Sequence, residues 1–207
     1  MPTNRVKMVA RCSPPSQMDY HWVEEWQPEG FCVALVEHRD PEDALSILVP
    51  SPETPRLSVA AAREWVWAQP PVSGELPAVV QAGSLDDWAV VIEEYGGFQA
   101  TKPELLTALS ISSRMVVVYR SVNADMSFQW AVNGVIVRSF DPLLYDDQQW
   151  GRGEPLSEEA GLPFGMTDPT SSAFACAERL TGVTITRELL DNTVGRIAVG
   201  YKGSPES

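Results

Sequence analysis

Histidine and cysteine are scarce in this chain of 207 residues: two of the first and three of the second. Nucleophilic catalysis on a Ser–His or Cys–His pair therefore has only His21 and His38 to draw on. The cysteines, Cys12, Cys32 and Cys176, are odd in number and widely spaced. That pattern excludes the close Cys or His pairs of a zinc site. There is no G-x-S-x-G elbow, no G-x-G-x-x-G and no G-K-[ST] loop, so a hydrolase serine and a phosphate cradle are both unsupported. Basic residues are few as well: 15 Lys and Arg stand against 28 Asp and Glu, for a net charge of −13. Nucleic acid and anionic membranes attract Lys and Arg, so neither is an expected partner. No stretch approaches the ~18 apolar residues that a bilayer-spanning helix needs. The first eighteen residues carry Arg5, Lys7 and Arg11 without an apolar segment behind them, which argues against a secretory signal. No metal and no cofactor is expected.

What is present describes a globular domain. Apolar residues make up 44% and there are seven Trp, each able to bury a large area. Cys32 sits in an apolar run and Cys176 in an Ala-rich helical stretch, so both read as core residues of a reducing, cytoplasmic compartment. The expected organisation is a flexible leader over 1–17, one domain over 18–201 and a short tail over 202–207.

Local signals place most elements. Trp22 and Trp26, four apart, share a face of a short helix within 18–27. Residues 31–36 form an apolar run, read as a buried strand. Asp40-Pro41-Glu42-Asp43 is a helix start, with Asp40 as cap and Pro41 in the first turn. A second helix is expected over 58–68. A strand pair over 76–82 and 88–94 is expected to turn through 83–86. Thr101-Lys102-Pro103-Glu104 matches a capping box for a helix over 102–110. Asp168-Pro169 opens a helix that Gly182 ends, Thr186 caps a short helix over 187–191, and 194–201 reads as an edge strand. Residues 143–170 read as a long loop with a turn of helix near 155–161.

Residues 115–142 are the most informative segment and read as a meander of three antiparallel strands over 114–140. Asn133-Gly134 favours a two-residue hairpin turn. That turn pairs Val132 with Val135, Trp130 with Val137 and Gln129 with Arg138. A four-residue loop over 122–125 pairs Ser121 with Met126, so that Tyr119, Val117 and Met115 face Phe128, Trp130 and Val132. Both loops then agree on one apolar face. The fold class is α+β, a mostly antiparallel sheet of about six strands with helices packed on one face.

Chemistry-bearing candidates are sparse. Glu93 and Glu94 are adjacent on a strand and point to opposite faces. With Tyr95, Asn123 and Asp141 they are the candidate ligand-binding residues. Asp141 also reads as the cap of the turn at Pro142. Asp146, Asp147, Trp150 and Glu154 are candidates for contact with a partner protein, one of basic character given the charge. The loop aromatics Tyr95, Phe98 and Trp150 fit either such a surface or burial beneath the 143–170 loop.

The run from Trp88 through Glu93, the stretch PELLTALS, the meander SVNADMSFQWAVNG, then SFDP, Trp150-Gly151 and AERLTGVTIT resemble an actinobacterial domain-of-unknown-function family of small cytoplasmic proteins. The resemblance covers about residues 20–192. It implies a single domain and an actinobacterial source, and no catalytic residues. The leading expectation is a non-enzymatic protein-binding or regulatory module, immunity- or inhibitor-like. The alternatives are an enzyme or small-ligand binder with a site near Glu93 and Asp141, and a structural protein that associates through a sheet edge.

Overall fold

A computed structural model describes residues 20–28, 30–69, 77–95, 97–146 and 151–202. Among them, one antiparallel sheet of eight strands runs through the molecule. The strands are β1 (Gly30–Glu37), β2 (Leu57–Ser58), β3 (Pro77–Leu85), β4 (Trp88–Glu94), β5 (Arg114–Ser121), β6 (Met126–Val132), β7 (Val135–Phe140) and β8 (Ile197–Lys202). Their spatial order is β2-β8-β3-β4-β1-β5-β6-β7. The helices are α1 (Trp22–Trp26), α2 (Pro41–Leu48), α3 (Val59–Ala68), α4 (Pro103–Leu109), α5 (Pro169–Thr181) and α6 (Arg187–Asp191). The class is α+β as expected, with eight strands rather than about six.

The helices cover both faces of the sheet, not one. The reason lies in the central strands, whose apolar residues alternate onto both faces: β4 is buried along its whole length and β1 along all but its last residue. A strand buried on both sides needs cover on both sides. On the first face, Val33, Leu35, Val90, Ile92, Val116, Val118, Phe128 and Trp130 pack with Phe174 and Ala177 of α5 and Leu190 of α6. At the far end of the same face, α3 sets Val59, Ala62 and Val66 against Val79 and Ala198. On the second face, Cys32, Ala34, Val36, Val91, Met115 and Val117 pack with Ala44, Leu45 and Leu48 of α2 and Leu106 and Leu109 of α4. The expected core positions Trp88 and Trp130 are both buried.

Caps fall where local chemistry places them. The Asp40 carboxylate accepts from the Glu42 amide, Ser58 caps α3, Asp168 caps α5, Thr186 caps α6, and Gly182 ends α5 in the left-handed region. The box at Thr101–Glu104 does not form. Lys102 occupies the cap position of α4 without a side-chain bond, because Thr101 belongs to a 3-10 turn (Gln99–Thr101) and its hydroxyl donates to the Phe98 carbonyl. The β3–β4 hairpin turns through Asp86-Asp87, with Leu85 opposite Trp88. Strand β8 is not an edge strand: it lies between β2 and β3.

The meander holds with a shifted register. Asn133 and Gly134 both have positive φ, as a two-residue primed turn requires, and Val132 faces Val135. The preceding loop, however, has three residues rather than four. Ser121 and Asp125 close it by a backbone hydrogen bond, the Ser121 hydroxyl accepts from the Asn123 and Asp125 amides, and Ala124 takes positive φ. Arg120 then faces Met126, and Val118 and Val116, not Tyr119 and Val117, share a face with Phe128 and Trp130. The slip costs nothing in burial because β5 is apolar on both sides, so alternation there carries no register information. A β-bulge at Trp130/Ala131 shifts the other hairpin too, and Trp130 faces Arg138 rather than Val137.

Candidate functional site

The bulge turns Arg138 inward. Its guanidinium forks onto Glu159, at 2.8 Å from Nε and 3.0 Å from Nη2, and its Nη1 donates to the Gly153 carbonyl. Both side chains are buried. The Tyr145 hydroxyl and the Leu156 amide also donate to this carboxylate. Burial pushes the Glu159 carboxyl up, but these donors together hold it below its usual value. The Tyr145 phenol, half-buried beside that carboxylate, is pushed up to about 12. The pair ties the 151–159 segment to the sheet.

Glu93 and Glu94 end β4 on opposite faces, as their adjacency requires, and each is buried in its own arrangement. Glu93 lies on the second face. Its Oε2 accepts from the Gln99 amide and its Oε1 from the Ala100 amide, both at 2.7 Å. A carboxylate thus stands at the start of the 3-10 turn, satisfying two amides that would otherwise be orphaned. Burial outweighs these donors and pushes the Glu93 carboxyl up. Cys32, its cross-strand neighbour, and Tyr201 complete the cluster. Burial, reinforced by Glu93, raises both the Cys32 thiol and the Tyr201 phenol. The Cys176 thiol is pushed up to about 12, by burial first. A thiol held protonated is a poor nucleophile, and the Glu93 oxygens are both taken by amides. This cluster is a lock on the 97–102 loop.

Glu94 lies on the first face, where the guanidinium of Arg63 from α3 forks onto it at 2.8 and 2.5 Å. The Gln81 amide donates to the same carboxylate. Gln81 in turn accepts from Arg196 at 3.2 Å, and Arg196 also donates to the carbonyls of Leu189 and Leu190 at the end of α6. A continuous polar chain, Arg63–Glu94–Gln81–Arg196, therefore crosses β4, β3 and the start of β8. Just beyond it, Tyr95 has positive φ and its ring packs edge-on against Trp67 of α3, with centroids 5.6 Å apart. Trp67 is 75% exposed.

The remaining candidates are dispersed. Asn123 is exposed in the three-residue loop, where its amide closes the turn. The Asp141 carboxylate accepts from the Leu143 and Leu144 amides, the capping role expected of it. Asp141 follows β7, four strands from β4, so it and Glu93 are separated by on the order of 19 Å and do not form one site. Asp146 and Glu154 are exposed; Asp147 and Trp150 lie outside the described residues. Among the described residues no group of three or more His, Cys, Asp and Glu is placed to hold a metal ion, and no helix is long and apolar enough to cross a membrane. Arg63, Gln81, Trp67 and Arg196 were not legible as a group. They come from three parts of the chain, and the one local signal, a glycine at position 83 beneath Arg196, reads from sequence as a turn residue.

This arrangement defines an α+β protein built on one eight-stranded antiparallel sheet with helices on both faces. The chain belongs to a family of unknown function, DUF6461, whose model matches residues 13–199. No curated protein and no solved structure matches it.

Proposed function

We propose that this protein is a non-enzymatic binding module that recognises a basic protein partner, as an immunity protein or inhibitor does. The observation that carries the reading is the exposed Trp67 ring, braced by Tyr95 and flanked by Arg63, which Glu94 holds in place. Trp, Tyr and Arg are the residue types that concentrate binding energy at protein interfaces. A braced ring and a locked guanidinium lose little conformational freedom on association. The net charge of −13 adds long-range attraction for a basic partner. Of the 141–159 acidic residues, Asp146 and Glu154 are exposed and available for this steering, whereas Glu159 is committed to Arg138. A cytoplasmic location belongs to the same proposal, supported by the free, buried Cys32 and Cys176, as does the actinobacterial source implied by the motifs.

Affinity capture from lysate of the source cells, with the wild type and Trp67→Ala side by side, tests the reading. The expected result is a basic protein that is released by salt and lost with Trp67→Ala, for a weakening of about 2 kcal/mol or more. Capture of nothing at low salt, or of partners indifferent to both salt and the substitution, overturns it.

A further inference from the structure

Arg196 is a buried cation with no carboxylate in contact with it among the described residues. It differs in this from Arg63 and Arg138 of the same face, each of which forks onto a glutamate. Burying a charge without a counter-charge is costly, and the carbonyl and amide oxygens that Arg196 meets carry only partial charge. Burial, the largest influence on it, lowers its pKa, and the carboxylates of Glu94 and Asp191 offset this only from a distance; a guanidinium stays charged in a protein.

The Arg196 stem crosses Gly83 so closely that a Cβ there would stand 2.7 Å from Cγ and 3.6 Å from Nε. Its Nη atoms are engaged, whereas Nε has no partner among the described residues. Gly83 and Arg196 line a cleft of about 200 Å³ between the β3–β4 hairpin and the loop from α6 to β8. No acidic residue lines it, in a chain with 28 of them. Val90, Leu189 and Val194 supply apolar wall. Asn192, also at the wall, accepts from the Val194 amide through Oδ1, which leaves its NH2 as a donor.

We infer that this cleft binds a short aliphatic monocarboxylate, its carboxylate on Arg196 Nε and its body against Val90, Leu189 and Val194. The volume lies below the ~300 Å³ at which drug-sized pockets begin, so the ligand has only a few carbons. The apolar wall favours an organic anion over an inorganic one.

Titration of the intact protein with butyrate, followed through the backbone amide signals of Val194, Gly195 and Arg196 by NMR, tests the inference. Butyramide, the uncharged isostere, and inorganic phosphate serve as parallel probes. Butyrate is expected to give saturable shifts at these three amides, and neither other probe is. Val194→Asp, at a rim position that is 88% exposed, is expected to weaken butyrate at least about tenfold with an unchanged melting temperature. Absence of saturation by butyrate, equal response to butyramide or phosphate, or indifference to Val194→Asp each overturns the inference. It is independent of the protein-binding reading, since Trp67→Ala is expected to leave the butyrate titration unchanged.

Discussion

Gly97 lies so close to Glu93 that a Cβ at position 97 would stand 2.9 Å from the Glu93 Cβ and 3.0 Å from its Oε2. The loop can close over the carboxyl only because residue 97 has no side chain. Gly97→Ala is expected to destabilise the fold by about 1–3 kcal/mol through overpacking, read as a lower urea midpoint at unchanged slope. Glu93→Gln keeps the volume but replaces one acceptor by an NH2 that faces an amide donor. The expected loss is about 1–3 kcal/mol for the unsatisfied buried group, with hydrogen exchange at Gln99 and Ala100 accelerated more than in the sheet. Protection unchanged at both amides would count against the lock.

The Arg138–Glu159 pair is buried on both sides. Arg138→Met alone leaves an uncompensated buried carboxylate and is expected to cost about 3–5 kcal/mol. The double substitution Arg138→Met, Glu159→Leu removes both charges and is expected to recover most of that loss. Chemical denaturation of the two singles and the double measures the coupling. Additive losses would contradict a direct buried pair.

Tyr145 supplies the pH dependence of the same cluster. Its folded pKa of about 12 lies above the unfolded value near ~10. A raised folded pKa means that the contribution is fully present below the unfolded value and is lost as pH rises through the folded one. The stability difference between wild type and Tyr145→Phe is therefore expected to be constant up to about pH 10 and to vanish towards about pH 12. Unfolding curves across this range, with the phenolate absorbance band as a second readout, check it.

The two described thiols are buried and their pKa values are raised. In a Cys12→Ser background, Cys32 and Cys176 are expected to react with a chromogenic disulfide reagent only as fast as the protein opens. Rapid reaction in native buffer, unaffected by conditions that slow opening, would show a reactive thiol instead.

Elements whose signals are local were legible in the sequence. Asp40-Pro41, Asp168 with Gly182, Thr186 and Asn133-Gly134 each act within one turn of chain, and each does in the structure what its chemistry dictates. Register was not legible where a strand is apolar on both sides. Residues 115–118 of β5 satisfy either pairing with β6, and the choice is made by Ser121 closing a three-residue loop. The bulge that turns Arg138 inward brings it onto a partner, Glu159, twenty-one residues away, which no local signal announces. The opposite facing of Glu93 and Glu94 follows from adjacency on a strand. Their partners do not: Arg63, Gln81, Gln99 and Ala100 meet them only when the sheet and α3 are assembled.

Strand β8 is made from the last described residues of the chain, yet it lies between β2 and β3. During synthesis α3 and β3 must therefore wait for a strand more than a hundred residues downstream before the sheet joins beneath them. The unpaired side of β3 is an open template in that interval, and pairing over so long a separation is slow. A ribosome stalled before Ile197 would hold a chain whose six strands from β3 to β7 in spatial order can pair while the β2 end remains unjoined, and that nascent state is where misassociation should be most frequent.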